Sequence, residues 1–172
     1  QQQGLQLFDS DLNAVGPFIG WQDRRCRDRV SAGDAETYLD RIARLGGSGF
    51  ASSGCPVVSG YTAPLLFWFK QNEQLPSRLK ASNAPEFFVS QLTGAKPVID
   101  PTDTVSWGVY DVFSRNWNTD LVRELGLDPA FLLPLVDSCT IAGKLKPEIA
   151  AAIGIVAGTP VSVASGDLQC AF

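Results

Sequence analysis

Apolar residues fall in short clusters separated by polar or glycine-rich breaks, and the period within each cluster predicts an element. Phe18-Ile19-Gly20-Trp21 reads as a strand, followed by a dense polar set over 22–29. Tyr38, Leu39, Ile42 and Leu45 share one face of a helix, with Ser31 or Asp34 as its cap and Gly46-Gly47 as its end. Residues 46–60 are rich in Gly and Ser and read as a loop. Thr62 is placed to cap a second helix with Pro64 in its first turn, and Leu65-Leu66-Phe67-Trp68-Phe69 is apolar on every side, which requires burial between layers. Asn83-Ala84-Pro85-Glu86 opens a third helix through Phe87, Phe88 and Leu92, closed by Gly94. Residues 107–112 alternate like a strand that turns at Ser114-Arg115-Asn116, Asn118 caps a helix through Leu121, Val122 and Leu125, and Asp128-Pro129 starts a short one. Residues 141–145 read as a strand, 147–153 as a helix, and Gly158-Thr159-Pro160 turns into a last strand over 161–164. Strands alternating with helices predict an α/β layered domain.

Composition narrows the chemistry. With 45% hydrophobic and 19% charged residues, the 172-residue chain holds enough apolar material for one packed core. It has no histidine, which excludes Ser-His-Asp and Cys-His hydrolases, His-ligated zinc and any imidazole relay. Proton transfer must fall to a carboxylate, lysine, tyrosine or thiol. The net charge of −4 and pI of about 4.7 argue against nucleic acid or an anionic membrane as partner. The one dense basic run, Arg24, Arg25, Arg27 and Arg29, is interrupted by Asp28 and preceded by Asp23. The uncharged stretch over 149–166 does not read as a membrane span, because Gly154, Gly158, Thr159 and Pro160 break it midway. Cys26, Cys55, Cys139 and Cys170 lie far apart with no C-x-x-C pair, as expected of reduced, semi-buried thiols in a soluble, cytoplasmic protein. The chain has no methionine, Gln1-Gln2-Gln3 lacks the features of a signal peptide, and the chain stops five residues after Asp167. An internal piece of a longer protein is therefore expected.

Two segments carry candidate chemistry. Val161-Ser162-Val163-Ala164-Ser165-Gly166-Asp167 places a carboxylate just past the carboxyl end of an expected buried strand, where open α/β sheets bind ligands. Asp167 there can accept the proton of an alcohol attacking phosphorus. On spacing alone a helix cap is the plainer account of it. Trp21-Gln22-Asp23-Arg24-Arg25 offers an aromatic face for the C–H side of a sugar, and hydrogen-bonding groups for its hydroxyls. Read alone, a core tryptophan and an exposed helix start explain that segment more simply, and Tyr61 reads as core with a hydrogen-bonded hydroxyl. There is no G-x-x-x-x-G-K-[ST] or G-x-G-x-x-G, and Gly46-Gly47-Ser48-Gly49 follows no strand.

Taken in order, the motifs carry a resemblance. Trp21-Gln22-Asp23-Arg24-Arg25, Gly60-Tyr61-Thr62 through Trp68-Phe69-Lys70-Gln71-Asn72, Leu92-Thr93-Gly94, Ser106-Trp107-Gly108, Trp117-Asn118, Leu125-Gly126-Leu127-Asp128, Leu133-Pro134, Gly158-Thr159-Pro160-Val161 and Gly166-Asp167 resemble the first domain of the FGGY carbohydrate kinases. The likeness covers nearly the whole chain and departs at Leu65, where the family usually has Lys. Xylulokinases typically follow the Gly-Asp with Asn and glycerol kinases with Gln-Gln, whereas Gly166-Asp167-Leu168-Gln169-Cys170 is similar to sedoheptulokinases, as is the Trp-Gln-Asp-x-Arg-Cys string at 21–26.

The resemblance implies a ribonuclease H-like, actin-like ATPase fold, incomplete at its N-terminus, with residues 1–172 forming part of the sugar-binding domain and the ATP-binding domain outside the chain. It implies ATP and Mg2+, and transfer of the γ-phosphoryl group to a ketose hydroxyl with Asp167 as general base. Trp21, Asp23 and Tyr61 would line the sugar pocket, and Gln2 and Gln3 would stand where such kinases often have a substrate-touching Met-His pair. The 172 residues alone are expected to have no kinase activity and to fold poorly, since the sheet would lack its first strands. Xylulose, glycerol or another polyol stays open as substrate. So does a binding protein on the same fold that no longer turns over, although such a protein has no chemical reason to keep the Asp167 carboxylate.

Overall fold

The computed structural model describes residues 3–54, 56–76 and 78–171, so Gln2 and Cys55 lie outside the described residues. A three-stranded antiparallel sheet in the order β2-β1-β3 organises the N-terminal half. The central strand β1 (Gly4–Phe8) is buried along its length, β2 (Ala14–Gly20) is a largely exposed edge, and β3 (Lys80–Ser82) flanks the other side. An edge tolerates Pro17, which has no N–H to give a ladder. The strand expected at 18–21 is thus the end of a longer one, and Trp21 lies in the turn beyond it.

Helix α1 (Tyr38–Gly46) is capped by Thr37, not by Ser31 or Asp34. Thr37 Oγ1 accepts from Asp40 N at 3.2 Å and Asp40 Oδ2 accepts from Thr37 N at 2.9 Å, a reciprocal box that satisfies two free N–H groups. Helix α2 (Thr62–Gln71) is the apolar one, and Leu65, Leu66 and Phe67 are fully buried between the sheet and α1. Thr62 does not cap it: Tyr61 is the flanking residue, and the Thr62 hydroxyl is buried against Gly4 O. Helix α3 (Ala84–Thr93) likewise starts after Asn83 without a side-chain cap, and Gly94 closes it in the left-handed region.

The second half is built of small units. Where a strand was expected over 107–112, a 3-10 turn (Thr104–Trp107) buries Trp107, Gly108 turns left-handed, and only β4 (Tyr110–Asp111) pairs with β5 (Asn116–Trp117). Asn118 caps α4 (Thr119–Glu124) as expected, accepting from Leu121 N at 3.0 Å, and a 3-10 turn at Pro129–Phe131 follows Asp128. β6 (Ile141–Lys144) pairs antiparallel with β7 (Pro160–Ser162) around α5 (Pro147–Ile153), and α6 (Asp167–Cys170) ends the described chain. β7 is an exposed strand and not the buried one expected; only Val163, just past it, is buried.

One core joins both halves, with Leu5 of β1, Ile42 of α1, Leu65 and Phe67 of α2, Ile99, Trp107 and Leu121 at its centre. No described helix is long and apolar enough to cross a membrane. Cys26, Cys139 and Cys170 are free thiols, but none is semi-buried: Cys26 is fully enclosed and the other two are exposed.

Candidate functional site

Strand register brings three of the sequence-predicted residues together. Gly4 pairs with Gly20, which sets Gln3 before one strand opposite Trp21 after the other. Gly60 packs on the backbone of Trp21 so closely that a Cβ at position 60 would run into Trp21 Cα and its carbonyl, and this contact delivers Tyr61 to the same corner. Trp21 is 40% exposed, so the indole is not core material; it presents a face to solvent. Tyr61 is buried at the start of α2, above Gly108.

Asp23 follows in the turn, its N–H donating to Gly20 O at 3.0 Å. Its carboxylate is clamped by Arg25: Oδ1 accepts from Arg25 N and Nε, both at 2.9 Å, and Oδ2 accepts from a terminal guanidinium nitrogen at 3.0 Å. The guanidinium lies over Trp68 at 4.8 Å and Phe69 at 5.2 Å from the ring centroids. Partial burial works to raise the Asp23 pKa, but the Arg25 bonds and charge outweigh it and hold the carboxyl below its usual range. Cys26 N donates to Ser59 Oγ at 3.2 Å and its thiol to Pro64 O at 3.3 Å, pinning the turn onto α2. Burial, foremost, pushes that thiol up to about 12.

A buried polar chain runs from this corner toward the C-terminal end. Thr62 Oγ1 lies 2.8 Å from both Gly4 O and Asn83 Oδ1, and Asn83 Nδ2 donates to Ser106 Oγ at 2.7 Å. Ser106 Oγ donates to Asp103 O at 2.8 Å. Beneath it, Glu86 and Asp103 are buried carboxyls against one another. Neither Glu86 oxygen, nor Asp103 Oδ2, meets a donor from any other described residue. Two buried carboxyls so placed disfavour a second charge, which favours the protonated form of Glu86, able to donate to Asp103. Burial, then the Asp103 hydrogen bond and charge, raise Glu86 well above the usual glutamate range; burial also raises Asp103.

Asp167 opens α6, exposed, with Oδ1 accepting from Leu168 N at 2.8 Å. The segment before it meets the far end of this buried chain: Gly166 N donates to Thr102 Oγ1 at 2.7 Å, one residue before Asp103. Sequence reasoning overlooked Asp100, Asn83, Glu86 and Asp103. Val98-Ile99-Asp100-Pro101-Thr102 did hold a signal, an acid ending an apolar run with Pro and Thr after it, which is the pattern of a side-chain-bonded turn. Asn83 had none, because an inward Asn and a capping Asn look alike in sequence.

A separate open cleft of about 740 Å³ lies among Lys70, Glu73, Arg78, Lys80, Asp128 and Phe131. It contains none of the expected site residues, and its lysines bond the carbonyls of Gly126 and Ala130. Among the described residues no group of three or more Asp, Glu or Cys side chains is placed to hold a metal ion.

The chain is 27% identical over 157 residues to the xylulose kinase of Staphylococcus xylosus, covering 90% of this chain and 31% of that protein. It is 28% identical over 171 residues to the sedoheptulokinase of Mus musculus, covering 97% and 32%. The chain thus spans about a third of the length of the curated relatives it matches. A xylulose kinase structure from Brucella ovis superposes on 98% of the chain and 33% of its own length, with a TM-score of 0.77 at 28% identity. The mixed α/β architecture is therefore that of the sugar kinases with the actin-like ATPase fold. Residues 1–172 match throughout the N-terminal domain of the FGGY family of carbohydrate kinases, and the chain belongs to that family.

Proposed function

We propose that this chain is the sugar-binding part of an ATP-dependent carbohydrate kinase, with Asp167 as general base and a ketose as acceptor. The observation that carries the reading is the Gly166-Asp167 segment, which holds an exposed carboxylate at the start of α6 and fixes the backbone just before it on Thr102. When bound, ATP supplies the γ-phosphoryl group and Mg2+ offsets its charge. Family membership supports both, and their contacts belong to segments outside positions 1–172. Asp167 takes the hydroxyl proton as the sugar oxygen forms its bond to phosphorus and the bond to the ADP oxygen breaks.

The Trp21 indole packs on the C–H face of the sugar, while the Gln3 amide, with Gln2, serves hydroxyls. Tyr61 lines the same pocket. Asp23 has one role left after Arg25: Oδ1 already accepts two bonds, while Oδ2 accepts one and keeps a lone pair for a sugar hydroxyl.

Sedoheptulose, converted to sedoheptulose 7-phosphate, is the substrate favoured by the Leu168-Gln169-Cys170 tail, and a sedoheptulokinase is among the relatives at 27–28% identity. Xylulose is the alternative, and the Staphylococcus xylosus relative favours it. The test is ADP release by the full-length protein with sedoheptulose, xylulose, ribulose and glycerol, beside Asp167→Asn. Highest turnover on sedoheptulose, falling by about 10²-fold or more in the variant, is the expected result. Turnover on another sugar overturns the substrate, and sugar binding without any turnover moves the protein to a binding role.

A further inference from the structure

We infer that Asp100 is a positioning residue for Asp167, acting through Ser165 and Thr102; the inference rests on Asp167 being the base. Asp100 is fully buried, and its two oxygens gather segments far apart in sequence. Oδ2 accepts from Ser165 Oγ at 2.8 Å and from Ser138 Oγ at 2.7 Å, which ties the residue two before Asp167 to the approach to β6. Oδ1 accepts from Thr102 Oγ1 at 2.6 Å and Thr102 N at 2.9 Å. Thr102 Oγ1 gives its proton to Asp100, so its lone pairs face outward, and one takes the Gly166 N–H at 2.7 Å. Both residues before Asp167 are therefore held by one carboxylate, Ser165 directly and Gly166 through a single hydroxyl.

Only an ionised acid can accept from all these donors at once, since an amide in its place turns a donating nitrogen toward one pair of them. Asp100 keeps its charge. Burial works against it, but the hydroxyls of Thr102, Ser138 and Ser165 outweigh the burial and hold its pKa below the usual range. The acids facing it from α3 and the Thr104 turn, Glu86 and Asp103, are the ones pushed toward the protonated form. Charge is thus concentrated on Asp100, whose two oxygens are ringed by donors. Close packing completes the hold: a Cβ at Gly166 would sit 3.0 Å from Thr102 O, closer than an ordinary contact, so one of the two would have to shift.

Holding the two residues before Asp167 sets where the start of α6 sits, and misplacement of a catalytic group by about 1 Å costs catalysis about 10²-fold. The experiment uses the full-length protein with Asp100→Asn, Ser165→Ala, Ser165→Thr and Asp167→Asn. Sugar affinity is read from tryptophan fluorescence, and kcat is expressed per sugar-binding site, so that loss of folded protein does not register as loss of rate. Asp100→Asn and Ser165→Ala are expected to lower kcat about tenfold or more with the sugar KM unchanged, and Ser165→Thr, which keeps the hydroxyl, to retain kcat. If Asp100→Asn does not fold, the Ser165→Ala and Ser165→Thr pair decides by the same criterion. Wild-type kcat in Ser165→Ala while Asp167→Asn is inactive overturns the inference and leaves the base in place. Equal loss in Ser165→Ala and Ser165→Thr, or a rise in KM matching the fall in kcat, shows a merely structural role and overturns it too. Undiminished turnover in Asp167→Asn overturns the assignment of the base and this inference with it.

Discussion

At the scale of single residues, the arrangement around Asp23 makes Arg25 the more informative site to change. A lysine there keeps the positive charge but loses the fork that meets both carboxylate oxygens and the planar contact with Trp68 and Phe69. Arg25→Lys is expected to raise the sugar KM by about tenfold while kcat changes less, because the role proposed for the pair is in binding and not in proton transfer. Steady-state kinetics of the full-length protein check this, and an unchanged KM would remove Asp23 from the sugar pocket. Cys26 gives a second residue-level expectation. With its thiol enclosed and pushed up to about 12, it should resist iodoacetamide in the native protein, whereas the exposed Cys139 and Cys170 should alkylate. Peptide mapping before and after denaturation reads the difference directly.

Elements show where local sequence decides and where it does not. Helix α5 (Pro147–Ile153) and the Asn118 cap were legible because both are set within a few residues: Pro in the first turn in one case, an Asn side chain reaching Leu121 N in the other. The cap of α1 was missed for an equally local reason. Residues 31–37 hold three acceptable caps, and what selects Thr37 is Asp40 on its own turn together with Glu36, which binds Arg41 and Arg44 at 2.8 Å each. Thr62 and Asn83 show the opposite case, since both have capping side chains that the tertiary structure claims for a buried bond to each other. The site divides in the same way. Of the proposed site, Trp21, Asp23, Tyr61 and Asp167 stand out by motif, whereas the bonds of Asp100 and the burial of Glu86 arise only where distant segments meet. Two stability expectations belong at this scale. Thr37→Ala should cost about 1 kcal/mol through the lost capping box. Phe67→Ala should cost about 3–5 kcal/mol, because its fully buried ring sits where α2 meets the rest of the core. Denaturant titration of the full-length variants checks both, and a smaller loss for Phe67→Ala than for Thr37→Ala would contradict the packing described.

For the molecule as a whole, the buried acids set how stability responds to pH. Glu86 binds its proton more tightly in the fold than in the unfolded chain, where it titrates near the ordinary value of about 4.5. Above that value the unfolded chain has released the proton while the folded protein still holds it. The unfolded state then binds fewer protons, and stability falls by up to ~1.4 kcal/mol per pH unit until pH passes the raised value in the fold. Asp103, also raised, acts in the same direction. Asp100 acts in the other: its pKa is lowered, so its contribution is present above the ordinary aspartate value of 3.8 and is lost as pH falls through the value in the fold. The two effects act at different ends of the range: Glu86 and Asp103 lower stability as pH rises above the ordinary carboxylate values, and Asp100, like Asp23, lowers it as pH falls below them. Glu86→Gln keeps the shape of the side chain and a donor toward Asp103, but removes the titration. The variant should therefore lose stability less steeply than the wild type from about pH 5 upward, while both retain the acid-side loss that Asp100 and the other acids of lowered pKa produce. Urea midpoints across that range measure it. Parallel curves for wild type and Glu86→Gln would show that Glu86 does not hold its proton in the fold, and that the charge of this trio is not concentrated on Asp100.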